Sequence, residues 1–99
     1  MREIFINNLL ALMQGKKTCI KAVLTAENLE LMFQIGREYG FVTVAMRVDG
    51  VSSTQVALHR TQPISMKISL KLIEGSAVEV RVKRISEKEY KDFIESSLN

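Results

Sequence analysis

Ninety-nine residues, 46% apolar and 25% charged, leave room for one domain with one core and exclude a multidomain enzyme or a disordered chain. Fourteen basic against eleven acidic residues give a net charge of +3, which permits a polyanionic partner without demanding one. A single cysteine, Cys19, excludes an intrachain disulfide and fits a reducing compartment, the cytosol or an organelle matrix.

From the N-terminus, Ile6, Leu9, Leu10 and Met13 recur at three- and four-residue spacing, with Phe5 and Leu12 broadening the stripe. This predicts an amphipathic helix from about Arg2 to Met13, ended by Gln14-Gly15. The alternative, a cleaved signal segment, is opposed by Glu3, by the paired Asn7 and Asn8, and by the lack of a small-residue cleavage site. No apolar run is long enough to span a bilayer, so no membrane is expected. Thr18 to Leu24, with Ile20 and Val23, reads as a short strand. Thr25 is the expected N-cap of a second helix, with Glu27 in its first turn, where a negative charge suits the helix dipole. Leu29, Met32, Phe33 and Gly36 share one face of it, extended by Leu31, Ile35 and Tyr39, and Gly40 closes it.

Phe41 opens a strand in which Val42, Val44, Met46 and Val48 alternate with Thr43, Ala45 and Arg47, a pattern that predicts one buried face. Asp49-Gly50 is a turn signal. The polar stretch 51–63, with the only proline, is expected to be a loop. Next, Met66, Ile68, Leu70 and Leu72 alternate with Lys67, Ser69 and Lys71; Val78, Val80 and Val82 alternate with Glu79, Arg81 and Lys83. With Glu74-Gly75 between them, these read as a hairpin. Ser86 and Glu89 have capping-box spacing, and Tyr90, Phe93 and Ile94 form the stripe of a final helix from about Glu87. The expected fold is a single α/β domain over 1–99, of α+β type, in α-β-α-β-β-β order. A three- to four-stranded sheet packs on two helices, and a C-terminal helix follows.

Catalytic chemistry is not expected. His59 is the sole histidine, in a polar segment, and Cys19 has Lys17 and Lys21 near it but no histidine. No metal-ligand spacing, phosphate-binding glycine loop or nucleophile elbow is present, so neither cofactor nor metal is expected. The charge pattern says more. Lys67, Lys71, Arg81 and Lys83 lie opposite the apolar positions of the hairpin, Arg84 continues the cluster, and Lys16, Lys17 and Lys21 form a second group. Such a face suits phosphates, and without interleaved aromatic residues it suits structured RNA better than single strands. Outward lysines on a hairpin also serve as plain solubilising edge protection.

Three stretches resemble the S-eight family of small-subunit ribosomal proteins, in its organellar form. IFINNLLALMQGKK resembles the family's opening helix and the lysines after it. Thr25 to Phe41, ending GREYGF, resembles the second helix and its glycine-aromatic turn. KISLKLIEGSAVEVRVKRIS resembles the lysine-bearing hairpin that leads into a Lys-Arg-Ile-Ser element, here Lys83, Arg84, Ile85 and Ser86. The likeness covers the family's N-terminal domain. Its second domain, with the Ser/Thr-rich loop that makes the main RNA contact, has no counterpart in these residues. Ala26-Glu27 stands where the family usually has Ser-Lys, and a helix replaces the Pro-Gly turn after Ser86. The resemblance implies a structural, non-catalytic component of a ribonucleoprotein in translation. Ribosomal RNA and neighbouring ribosomal proteins would be its partners, in a mitochondrial ribosome or otherwise in the cytoplasm. Lys67, Lys71, Arg81, Lys83 and Arg84 would meet phosphates, with Lys16, Lys17 and Lys21 secondary. The alternatives are a small homodimeric interaction module of viral or mobile-element type, pairing edge strands or burying the Tyr90, Phe93 and Ile94 stripe, and an enzyme whose site is shared across an interface.

Overall fold

The computed structural model describes residues 2–98. In chain order it holds α1 (Arg2–Met13), β1 (Cys19–Leu24), α2 (Ala26–Glu38), β2 (Phe41–Asp49), β3 (Ser52–His59), β4 (Ser65–Leu72), β5 (Val78–Ile85) and α3 (Glu87–Leu98). A single 3-10 turn, Glu74–Ser76, joins β4 to β5. The class is α+β. The strands form one antiparallel sheet in the order β1-β5-β4-β3-β2. Because β1 and β2 are its two edges, α2, which connects them, must traverse the sheet.

Local chemistry accounts for the ends of α2. The Thr25 hydroxyl accepts from the Asn28 N–H at 3.2 Å, satisfying one of the orphan donors of the first turn. Gly40 follows the helix at φ +94°, a conformation that side chains with a Cβ resist. Leu9 and Leu12 of α1 and Met32 and Ile35 of α2 bury against Leu24, Phe41, Ala57, Met66, Ile68, Val80 and Val82 of the sheet. Each of these side chains other than Ala57 contributes roughly 1.5–3 kcal/mol by leaving water. A smaller cluster lies on the opposite face, where Phe93 of α3 meets Val56 and Ile85, with Ala45, Tyr90 and Ile94 around it. Ser86 caps α3, its hydroxyl accepting from the Glu89 N–H at 3.1 Å.

The helices, β1 and the β4–β5 hairpin stand where the sequence pattern predicts them. Two features differ. Ser52–His59 is a strand between β2 and β4, not a loop, so the sheet has five strands rather than three or four. Its leading residues, Ser52, Ser53, Thr54 and Gln55, put polar side chains on both faces and erase the alternation that marks a strand. Pairing to both neighbours satisfies its backbone instead. The second difference is in β2, where the register shifts between Thr43 and Ala45. The bulge moves Ala45 and Arg47 to the α3 face, opposite Val56 and Thr54, while Met46 and Val48 fall on the α1–α2 face. The expected single buried face is therefore split. Val42, Val44, Met46 and Val48 are 41, 44, 57 and 66% exposed.

Candidate nucleic-acid interface

In β5 the alternation is complete: Val80 and Val82 bury under the helices, while Glu79, Arg81 and Lys83 stand exposed on the other face. The sheet register sets their neighbours. Lys21 of β1 lies opposite Arg81, Lys83 lies opposite Lys67, and Lys71 lies opposite Glu79. Lys21, Lys67, Lys71, Arg81 and Lys83 thus share one face of three adjacent strands. Neighbours stand about 5 Å apart across strands and about 7 Å apart along them. Two directly opposed pairs, Lys21 with Arg81 and Lys67 with Lys83, are like-charged. Such pairs destabilise a sheet unless an anion sits between them. The strands of this face, β1, β4 and β5, contain no aromatic residue, so it offers charge and no stacking platform.

Of the eight basic residues singled out in the sequence, the structure gathers these five. Lys21, grouped by sequence with Lys16 and Lys17, joins the hairpin cluster because β1 pairs with β5. Lys16 and Lys17 stay in the exposed turn after α1, and the Lys17 ammonium donates to Asn8 Oδ1 at 2.7 Å. Arg84 is not part of the face. It points to the helical side, where its guanidinium donates to the Met13 carbonyl at 2.7 Å and towards that of Leu12 at 3.4 Å. There it satisfies orphan carbonyls at the end of α1 and suits the negative end of the helix dipole. The rule that neighbours in a strand face opposite ways separates Arg84 from Lys83 in the sequence itself.

Sequence reasoning missed Glu89, whose carboxylate lies 3.5 Å from the Lys67 ammonium with both side chains partly exposed. Its capping-box spacing points to a bond within α3, but only the tertiary fold brings Lys67 beside it. His59 acts locally. Its Nδ1 accepts from the N–H groups of Thr61 at 3.2 Å and Gln62 at 3.1 Å, holding the β3–β4 turn, and its ring meets Phe41 edge-on. Cys19 is half-buried at the start of β1. Apolar clefts of about 280 and 400 Å³ flank α2, and neither is lined by His59, Cys19 or a carboxylate. Among the described residues no three His, Cys, Asp or Glu side chains gather as a metal ion needs, and no helix is long and apolar enough to cross a membrane. Compared with protein-family models, curated proteins and solved structures, the chain shows no significant match to any.

Proposed function

We propose that this chain is a structural RNA-binding protein of a small ribosomal subunit, similar to the N-terminal domain of the S-eight family, working in an organellar or cytoplasmic ribosome beside other ribosomal proteins. The observation that carries the reading is the pair of like-charge oppositions on the sheet face beside α3, Lys21 with Arg81 and Lys67 with Lys83, of which only Lys67 has a carboxylate partner, Glu89. Phosphates lying between these cations would relieve their repulsion and release counterions, so affinity would come from the backbone and not from base sequence. Lys71 extends the contact along β4. The work is electrostatic positioning of folded RNA, without turnover. The test is binding of a structured small-subunit RNA fragment across a salt series. The wild type is expected to bind with log K falling against log salt at a slope of about −3 to −5. The Lys67→Ala, Lys71→Ala, Arg81→Ala, Lys83→Ala variant should lose most of that slope. No binding by the wild type at low salt would end the RNA reading.

One observation favours a homodimer as a second reading. β2 is a nine-residue edge strand without lysine or proline and with apolar side chains exposed on both sides of its bulge. Antiparallel pairing of this edge with β2 of a second copy would satisfy its open backbone groups and bring the exposed apolar side chains of the two strands together. Concentration-dependent sedimentation, lost in Val48→Lys and indifferent to RNA, supports this reading; a monomer at all concentrations removes it.

A further inference from the structure

Resting on the RNA reading, the geometry points to α3 as an intramolecular competitor for the basic face, so that RNA binding and α3 docking oppose each other. The helix sits on the same side of the sheet as the cations. Its footprint is Val56, Ile85 and Ala45, and Val56 lies directly across from Lys67 while Ile85 is two positions beyond Lys83. The basic patch is three strands wide, about 10 Å. A helix of similar thickness, about 10 Å with its side chains, stands along its border. A rigid RNA duplex wider than the patch cannot settle flat on β4 and β5 while that wall is in place.

Charge points the same way. α3 carries Glu87, Glu89, Asp92 and Glu95 against Lys88 and Lys91. Glu87 pairs with Lys91 and Asp92 with Lys88 within the helix, whereas Glu89 crosses to Lys67 on the sheet. Glu89 therefore holds a site that a phosphate would otherwise take. The helix is also held by a small buried cluster. Its buried anchor is Phe93 in a cluster of three, against the main cluster of twelve on the other face. Beyond that, Arg47 lies over the Phe93 ring at 4.6 Å and donates to Ser96 Oγ at 2.8 Å. Elements held by so few buried contacts open well below the energy of global unfolding. By linkage, what loosens α3 must strengthen RNA binding, and RNA must loosen α3 to the same degree.

The experiment measures binding of the same structured RNA fragment to full-length wild type, Glu89→Gln and Phe93→Ala, together with amide exchange of α3 in the wild type with and without RNA. Glu89→Gln is expected to bind about 2- to 5-fold more tightly at low salt, with a salt slope steeper by about one phosphate contact. Phe93→Ala, which changes no charge, should bind several-fold more tightly, and RNA should speed exchange between Tyr90 and Ser97 in the wild type. If RNA binds but slows exchange in α3, or leaves it unchanged while both variants stay within twofold of wild type, the competition is overturned and the RNA reading stands. If wild type and Phe93→Ala both fail to bind at low salt, both fall. The exchange arm needs no substitution, so a poorly folded variant does not remove the test.

Discussion

Gly40 and His59 are coupled in a way that neither residue shows alone. A Cβ on Gly40 would lie 2.7 Å from His59 Nε2, and the Gly40 backbone already stands at φ +94°. Gly40→Ala should therefore lower stability by about 1–3 kcal/mol, read as a lower urea midpoint. His59→Ala removes the ring and the acceptor of two turn N–H groups, a cost of about 1–2 kcal/mol. In that background the further cost of Gly40→Ala should shrink to the backbone part alone, which a double-mutant cycle measures directly. Arg84 and Lys83 make a second contrast. Arg84→Ala leaves carbonyls of α1 without their donor and should destabilise by about 1–3 kcal/mol while the RNA salt slope is kept. Lys83→Ala should do the reverse, flattening the slope and leaving stability unchanged or slightly raised by relief of the opposition to Lys67. A neighbouring pair of basic residues would then have divided into a structural and a binding half.

At the scale of elements, what was legible in the sequence follows from where each pattern comes from. α2 was readable end to end because its cap, apolar stripe and closing glycine are all local. The β4–β5 hairpin was readable because its inward residues are large and its outward ones charged. β3 was not, since Ser52 to Gln55 carry no apolar alternation and the strand exists by pairing with β2 and β4. The bulge in β2 was hidden for another reason: one extra residue leaves Val42 to Val48 looking regular in sequence while exchanging their faces. It follows that β2 tolerates charge where an apolar-face reading forbids it. Val48→Lys, at a position 66% exposed, should change stability by less than about 0.5 kcal/mol, measured by urea unfolding at a concentration where the chain is monomeric. A loss of several kcal/mol would mean that Val48 is covered in solution.

Taken whole, one side of the sheet carries α1, α2 and the main core, while the other is only partly covered, by α3, and gathers charge on β1, β5 and β4. Five cations against two carboxylates, Glu79 and Glu89, leave this face with an excess of positive charge that raises the energy of the free protein, and salt screens that repulsion. The wild type is therefore expected to gain thermal stability as ionic strength rises from about 10 to 150 mM, whereas the quadruple alanine variant should gain markedly less. Equal salt responses in thermal melts would show that the cations are too well solvated to repel one another, so that like-charge opposition would not favour a bound anion. The same division explains why the candidate site is only partly visible in the sequence. Lys67, Lys71, Arg81 and Lys83 declare themselves by alternation within one hairpin. Lys21 and Glu89 belong to the face only through contacts made by β1 and α3, distant in sequence from β4.

By itself, the sequence determined the helices, the hairpin and the outward direction of its cations, because these depend on periodicities and caps spanning a few residues. Only the tertiary structure decided that β1 lies beside β5, that the polar stretch after Gly50 is a strand, that Arg84 closes α1 and that Glu89 meets Lys67. Those outcomes depend on which distant segments bury one another and in what register. The free energy that selects among registers belongs to the whole core and is written in no single window of the chain.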